Sequence, residues 1–210
     1  MSIQLDLSQL VAACRSLAAD EHMSFIIDRY GTPPLWDRPP GFATLLQIIL
    51  EQQVSLASAK ACFDKLSQQI GEVTPKGFAE LDDVELRSIG FSRQKAAYAR
   101  HLSAAIIEER LDLGRLRNLP DAEVKAELMK LKGVGEWTSD IYLLMALLRP
   151  DVMPKGDIAL HAAWQRVSGE VKPSANEFLQ ISNRWRPYRS VAARLLWHFY
   201  LSEKRRPNKI

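Results

Sequence analysis

Apolar residues recur at spacings of three and four along almost the whole chain, which is the pattern of amphipathic helices. Val124, Leu128 and Leu131 fall on one such face, and Ile141 and Met145 fall on another. Helices are predicted over roughly residues 6–19, 22–30, 41–51, 55–70, 82–89, 92–109, 121–131, 136–148, 157–168, 174–182 and 188–203. Because no segment has the alternating, β-branched pattern of an exposed strand, the sequence predicts an all-α fold.

Gly133-Val134-Gly135 is the only break between two of the predicted helices. Two glycines allow a hairpin too tight for side chains, and they let backbone N–H groups approach an outside partner. The following helix would begin there with the positive end of its dipole facing outward. The pattern therefore predicts a phosphate-binding hairpin, and Asp157 places an acid at the start of a later helix.

A polar pair follows the strongly apolar residues 42–51. Gln52 and Gln53 form this pair, and Ser55 is positioned to cap the next helix. By themselves these residues favour an ordinary solvated turn.

The composition limits the class of protein. With 210 residues and 47% hydrophobic content, the chain can form one large domain or two small lobes that share a core. Its longest apolar run, residues 141–148, is too short to span a membrane, and the N-terminus lacks the pattern of a signal sequence. We therefore expect a cytoplasmic protein, or a nuclear one if the source is eukaryotic.

The potential metal ligands are sparse and scattered. Cys14 and Cys62 are too few for a four-cysteine iron–sulfur cluster, and the four histidines lack the spacing of a zinc site. We expect neither an iron–sulfur cluster nor a zinc ion.

Basic residues are concentrated near the C-terminus. The chain carries a net charge of +3, whereas residues 181–210 hold eight basic residues and a single acid, Glu203. The basic residues are Arg184, Arg186, Arg189, Arg194, Lys204, Arg205, Arg206 and Lys209. This asymmetry is typical of a face that binds an anionic partner, although a solvated tail explains residues 204–209 equally well.

Several separated segments carry a family resemblance. They are Ile48-Ile-Leu-Glu-Gln-Gln-Val-Ser55, Ile89-Gly-Phe-Ser-Arg-Gln-Lys-Ala96, Leu131-Lys-Gly-Val-Gly-Glu-Trp-Thr138, Gly156-Asp157-Ile158 and, more weakly, Trp185-Arg-Pro-Tyr-Arg-Ser190. In order and approximate spacing they resemble the helix-hairpin-helix DNA glycosylases. The match is to the 3-methyladenine DNA glycosylase II branch, in a compact form without its N-terminal β-rich domain.

The resemblance implies a two-lobed helical fold with the active site in the cleft between the lobes. Residues 1–210 would form one compact unit. One lobe, at about 42–150, would contain the hairpin, and about 1–41 with 151–210 would form the other. A monomer is expected, with alkylated double-stranded DNA as its partner and no role for a membrane.

The resemblance also implies base-excision repair, by hydrolysis of the N-glycosidic bond of alkylated purines such as 3-methyladenine and 7-methylguanine. Asp157 corresponds to the catalytic acid, which stabilises the cation-like sugar and directs water. Without the resemblance, an Asp at this position would be interpreted as a helix N-cap. Glycosylases that also cleave the strand carry a lysine nucleophile where this chain has Trp137, so no lyase activity is expected.

Aromatic residues in the matched motifs would form a pocket for a cationic damaged base. The candidates are Trp137, Tyr188, Trp36 and Phe42, the last two as border residues. Ile141 and Ile158 stand where a related enzyme has aromatic rings. Acceptance of 1-methyladenine, 3-methylcytosine or hypoxanthine therefore stays open.

Other matched residues would hold the DNA backbone or fill the gap left by a flipped base. The predicted DNA-binding set is Gln52, Gln53, Ser55, Gly133, Val134, Gly135, Glu136, Thr138, Arg93, Lys95 and Arg189. Within this set, Gln53 occupies the position of the family's wedge residue. The family often binds Na⁺ or K⁺ through hairpin carbonyls that correspond to Met129, Leu131 and Val134, and no cofactor is required.

Three other interpretations stay open. Hairpins of this type also occur in non-catalytic DNA-binding proteins, which have no need of Asp157. An iron–sulfur glycosylase/lyase is disfavoured by Trp137 and by the cysteine count, and a helical scaffold would leave the glycine hairpin unexplained. His161, one turn after Asp157, is expected on the surface of its helix, with a contact to DNA as the alternative.

Overall fold

The computed structural model describes residues 4–205, and all regular secondary structure in this part is helical, which confirms the predicted fold class. The helices are α1 (Leu7–Leu17), α2 (Glu21–Tyr30), α3 (Phe42–Glu51), α4 (Leu56–Ile70), α5 (Pro75–Ala79), α6 (Asp83–Ile89), α7 (Arg93–Ile107), α8 (Asp121–Met129), α9 (Glu136–Met145), α10 (Ile158–Ser168), α11 (Ala175–Ser182) and α12 (Arg189–Arg205). Short 3₁₀ turns lie at Arg115–Asn118 and Asn183–Trp185. Arg206 and Lys209, which belong to the predicted basic face, lie outside the described residues.

The chain divides into two compact units. The first unit covers Arg38–Leu147 and contains α3–α9. The second covers the described residues on either side of it and contains α1, α2 and α10–α12. No helix between residues 4 and 205 has the length and apolar character needed to cross a bilayer.

Helix α3 forms the centre of the first unit. Leu45, Leu46 and Ile48 are completely buried, and the helix packs against α4, α7 and α9. Each such side chain contributes about 1.5–3 kcal/mol on burial. The N–H of Gly41 donates to the hydroxyl of Tyr142 at 3.1 Å, and burial raises the pKa of this tyrosine to about 12. This packing fixes the C-terminal end of α3, from which the turn carrying Gln53 emerges.

Helix α12 forms the centre of the second unit and packs against α1, α2 and α10. Arg194 lies in its buried face, with Nε donating to the carbonyl of Leu35 at 2.7 Å and Nη1 to that of Ser190 at 3.1 Å. Burial lowers the pKa of Arg194 to about 10, although the charge of Asp37 acts in the opposite direction. Arg194 thus belongs to the core, and the predicted basic face does not include it.

Serine side chains cap the N-termini of several of the predicted helices. Ser55 accepts from the N–H of Ser58 at the start of α4, as predicted, and Ser92 and Ser174 cap α7 and α11. Helix α5 was not predicted, because its five residues include Gly77 and are too few to show a periodic apolar pattern.

Candidate functional site

The two glycines of the hairpin between α8 and α9 have different structural roles. Gly133 has a φ of +86°, and a Cβ atom there would lie 2.2 Å from two carbons of the Tyr98 ring. Gly135 has an ordinary φ of −108°, and a Cβ there would meet no atom within 4 Å. Gly133 is therefore required for packing, whereas Gly135 keeps the outer side of the turn open to a partner.

Helix α7 and the turn after α3 support the hairpin from within the first unit. The N–H of Lys132 donates to Nδ1 of His101 at 3.2 Å. The side-chain amide of Gln52 donates to the carbonyl of Gly133 and to the hydroxyl of Thr138, both at 2.8 Å. Gln52 was predicted to contact DNA, but its amide nitrogen is engaged inside the protein.

The N-terminus of α9 follows Gly135, which provides no side-chain cap. Among the predicted contact residues here, Glu136 is exposed, whereas Val134 and Thr138 are buried with exposures of 6% and 2%. The Thr138 hydroxyl accepts from the side-chain amide of Gln52. The phosphate contact predicted for Thr138 is through its backbone N–H, and it stays a prediction. Backbone N–H groups and the positive end of the helix dipole, rather than side chains, are therefore the groups at this end of α9 that favour negative charge.

Gln53 is exposed and has a φ of +57°, in the left-handed region that non-glycine residues rarely adopt. The neighbouring Val54 and Leu56 are also exposed. Lys95 was predicted to bind DNA, but its ammonium group donates to the carbonyl of Leu50 at the end of α3. Burial lowers the pKa of Lys95, against the opposing effect of Cys62. Lys95 therefore supports the turn from inside.

Arg93 and Arg189 have opposite environments. Arg93 is exposed at the start of α7. Arg189 donates from Nε to the carboxylate of Asp151 at 2.8 Å and from Nη2 to the Asp151 carbonyl at 2.8 Å. An internal ion pair of the second unit thus engages Arg189, contrary to the predicted DNA contact.

Asp157 lies at the start of α10, after a turn in which Gly156 has a φ of +76°. Asp157 is only 8% exposed, and its Oδ1 accepts both the N–H of Leu160 at 2.9 Å and the indole N–H of Trp197 at 3.3 Å. Ile158, the next residue, is 75% exposed. Asp157 is thus a helix cap, and it is also held by a second helix.

The predicted base-pocket aromatics lie in different surroundings. Trp36 belongs to the second unit, with its ring 6.4 Å from that of Trp197. Tyr188 is half-buried just before α12, and Trp137 is half-buried in the first turn of α9. Phe42 is only 6% exposed, and its ring lies 6.2 Å from that of Phe78. Phe42 is therefore a core residue of the first unit.

The prediction that His161 lies on the surface is wrong. His161 is 6% exposed, its Nδ1 lies 3.1 Å from the carbonyl of Pro173, and its ring centroid lies 4.8 Å from that of Phe178. Burial is the main cause that lowers its pKa. The residue faces inward because α10 packs this side against the segment before α11.

Sequence reasoning did not find Trp197, Tyr98 or His101. Trp197 contacts Asp157 across 40 residues of sequence, and His101 contacts Lys132 across 31. Nothing in the local sequence pattern around Trp197 indicates that its indole has a polar partner. For Tyr98, a glycine in a tight turn was the only sequence signal that something must pack closely against the hairpin.

These features agree with comparisons to known proteins. Residues 46–187 match the model of the HhH-GPD superfamily of base excision DNA repair proteins, and the chain belongs to this superfamily. The protein YfjP of Bacillus subtilis is 30% identical over 200 residues, which cover 85% of this chain and 69% of YfjP.

Two solved structures are similar over almost the whole chain. DNA-3-methyladenine glycosidase from Bacillus halodurans is 28% identical, with a TM-score of 0.76 over 96% of this chain and 94% of that one. The 3-methyladenine DNA glycosylase Mag1 of Schizosaccharomyces pombe, solved in complex with abasic DNA, has a TM-score of 0.81 over 92% and 97% of the two chains. At 23% identity, the second comparison supports the fold alone.

Proposed function

We propose that this protein is a monofunctional DNA glycosylase of the 3-methyladenine type, which hydrolyses the N-glycosidic bond of alkylated purines in duplex DNA. Membership of a base-excision-repair superfamily and the similarity to a DNA-3-methyladenine glycosidase support the general activity. The observation that carries the proposal is Asp157, a buried carboxylate held by two donors at the start of α10. A protein that only binds DNA could use Asp157 as a helix cap, but capping does not need the second donor from Trp197.

The proposed role of Asp157 is electrostatic. Departure of the base leaves positive charge on the deoxyribose, which a fixed carboxylate stabilises while water attacks. Because the N–H of Leu160 and the indole of Trp197 orient the carboxylate beforehand, little reorganisation is needed during the reaction. An abasic site and a free base are the products.

Trp137 supports the monofunctional mechanism. A lyase reaction needs an amine nucleophile that forms a Schiff base with the sugar, and the family's lyases have it at this position. An indole provides no such nucleophile. An aromatic face does attract a cationic alkylated base, so Trp137 is proposed to take part in base recognition, with Tyr188 and Trp36 as further candidates.

DNA binding is proposed to use the hairpin and the turn after α3. The open outer side of Gly135 and the N-terminus of α9 suit a phosphate. Gln53 suits the wedge, because it is exposed and its left-handed backbone is a costly conformation of the kind found at functional sites. A wedge residue fills the space left by a nucleotide that is flipped out of the duplex.

A Na⁺ or K⁺ ion bound by the carbonyls of Met129, Leu131 and Val134 belongs to the proposal. The Met129 carbonyl supports this part of the proposal, because it ends α8 at the negative end of the helix dipole. Leu131 and Val134 lie in the hairpin, where the Leu131 carbonyl also accepts the N–H of Val134 at 3.1 Å. Such an ion would supply positive charge beside the hairpin. We propose that the protein requires neither zinc nor an iron–sulfur cluster and that it acts as a monomer. Its proposed location is the compartment that contains the chromosomal DNA.

The substitution Asp157→Asn tests the proposed function. Wild-type protein is expected to release 3-methyladenine or 7-methylguanine from methylated duplex DNA, and the variant to be slower by at least about a hundredfold. Asn caps helices as well as Asp does, so the thermal unfolding temperature checks that the variant is folded. DNA binding without any base release by the wild type would favour a non-catalytic binding protein. Strand breaks before alkali treatment would contradict the monofunctional mechanism.

A further inference from the structure

The turn Glu51–Val54 is supported from several directions within the first unit. The Arg38 guanidinium forms two hydrogen bonds with the carboxylate of Glu51, at 2.9 and 3.2 Å, and the Glu51 side chain is only 8% exposed. The ammonium group of Lys95 donates to the Leu50 carbonyl. These contacts hold the exposed Gln53 in a backbone conformation that would otherwise be unfavourable.

Gln52 connects this turn to the hairpin. An amide group has two N–H donors, and the two acceptors here are the Gly133 carbonyl and the Thr138 hydroxyl, which flank Gly135 on either side. One side chain therefore fixes the turn relative to both ends of the segment that leads into α9. These acceptors lie 81 and 86 residues away in sequence, so no local structure imposes the arrangement.

We propose that Gln52 is a positioning residue, which sets the wedge Gln53 in register with the phosphate-binding hairpin. The inference rests on the proposed function for the roles of Gln53 and the hairpin. A wedge residue enters the base stack correctly only when the DNA backbone is held at a fixed position relative to it. Errors of about 0.5 Å in that relative position are enough to lose such a geometry. Gln52 holds the relation between the two elements before DNA arrives, and it acts through Gln53 rather than by contacting DNA itself.

The test measures unstacking of a nucleotide rather than base release. The probe is a duplex with a tetrahydrofuran abasic-site analogue and an adjacent 2-aminopurine, whose fluorescence reports unstacking when protein binds. Gln52→Met removes both donors at similar volume, and Thr138→Val removes one acceptor. We expect the fluorescence change at saturation to fall about fivefold or more for Gln52→Met and by a smaller factor for Thr138→Val.

Gln69→Met is the matched control. Its side-chain amide donates to Glu85 at 3.1 Å in the same unit, so the variant also loses an amide hydrogen bond, but away from the hairpin. It should bind and unstack the probe like the wild type. An equal loss of probe unstacking in Gln52→Met and Gln69→Met would mean that Gln52 only stabilises the fold, and the proposal would be overturned.

A double-mutant cycle separates positioning from direct contact. If Gln52 acts through Gln53, the variant Gln52→Met/Gln53→Ala unstacks the probe no less than Gln53→Ala does. Additive losses, or no loss from Gln53→Ala, would overturn the proposal. Because the abasic analogue has no N-glycosidic bond to hydrolyse, the outcome is independent of the Asp157 experiment. A protein that releases no base can still show this coupling, and an active glycosylase can lack it.

Discussion

The indole N–H of Trp197 donates to Oδ1 of Asp157 at 3.3 Å, so α12 as well as α10 holds this carboxylate. Trp36 packs against Trp197 edge-on, with the two ring planes at 73°. These three residues all belong to the second unit. The proposed catalytic group is thus supported by aromatic residues that are far from it in sequence.

Replacement of Trp197 by Phe is expected to slow base release. The variant keeps an aromatic ring but loses the N–H that orients Asp157. A tenfold fall in rate corresponds to about 1.4 kcal/mol, which is close to the lower end of the range of about 1.5–3 kcal/mol for a hydrogen bond to a charged group. We expect single-turnover base release to slow by about tenfold, with the Kd for the methylated duplex changed less than twofold because the bond acts on the carboxylate rather than on DNA.

Trp164→Phe provides the control for Trp197→Phe. Trp164 is 1% exposed in the same unit, and its indole nitrogen has no hydrogen-bond partner among residues 4–205. Both variants lose a buried indole of the same size, but only one loses a hydrogen bond to Asp157. Equal slowing in the two variants would show that the effect is general to packing, and it would refute the orienting role.

The two hairpin glycines are expected to respond differently to alanine. Gly133→Ala places a methyl group against the Tyr98 ring at a positive φ. Overpacking of this kind costs about 1–3 kcal/mol, so the free energy of unfolding should fall by at least this amount. Urea denaturation followed by circular dichroism measures it. A fall smaller than about 0.5 kcal/mol would contradict the packing role.

Gly135→Ala tests the outer side of the same hairpin. Its ordinary φ and the open space around it predict a stability loss of less than about 1 kcal/mol, which is the range of N-cap effects. If the backbone here approaches phosphate, the added methyl group should weaken duplex binding about tenfold or more. Fluorescence anisotropy at constant ionic strength measures this affinity. Unchanged binding would exclude a close approach of DNA at Gly135.

The sequence predicted the local structure better than the contacts of the site. Periodic apolar residues and caps such as Ser55 and Ser92 are local signals, and they located the long helices to within a few residues. The exposure of Gln53 also agrees with its polar position at a corner. The hydrogen-bond partners of the charged side chains could not be predicted in the same way. Lys95 and Arg189 have ordinary sequence surroundings, and only the tertiary structure turns them toward Leu50 and Asp151.

His161 should make the stability of the protein depend on pH. Burial lowers its pKa most, the charge of Lys172 acts in the same direction, and the Pro173 carbonyl and Asp157 act in the opposite direction. In the unfolded chain this histidine has an ordinary pKa of about 6.5. As the pH falls, it therefore binds a proton at a higher pH in the unfolded chain than in the folded protein. The contribution of neutral His161 is complete above this pH and is lost as the pH falls below it.

The substitution His161→Phe removes that titration. The decrease in melting temperature between pH 7.5 and pH 5.5 should be smaller in the variant than in the wild type, whatever the loss at neutral pH. Differential scanning calorimetry at the two pH values measures the difference. His101→Phe is not a suitable control, because His101 supports the hairpin. An identical decrease in wild type and His161→Phe would assign the pH dependence to other groups.

Arg93 and Arg189 should have opposite effects when replaced by alanine. Arg189 forms a largely buried ion pair with Asp151, and removal of one partner leaves the carboxylate without its main donor. We expect Arg189→Ala to lower the free energy of unfolding by about 1–3 kcal/mol, between the values for exposed and buried pairs. The exposed Arg93 should contribute less than about 0.5 kcal/mol to stability.

The salt dependence of DNA binding distinguishes these two roles. A phosphate contact contributes about 0.9 to the slope of log K against log salt concentration. Arg93→Ala should reduce the slope by about this amount if Arg93 binds phosphate, whereas Arg189→Ala should leave it unchanged while the protein remains folded. Anisotropy titrations at several salt concentrations, at a temperature below the unfolding range of both variants, measure both slopes. A reduced slope for Arg189→Ala would mean that its guanidinium leaves Asp151 for DNA, and an unchanged slope for Arg93→Ala would remove the start of α7 from the DNA interface.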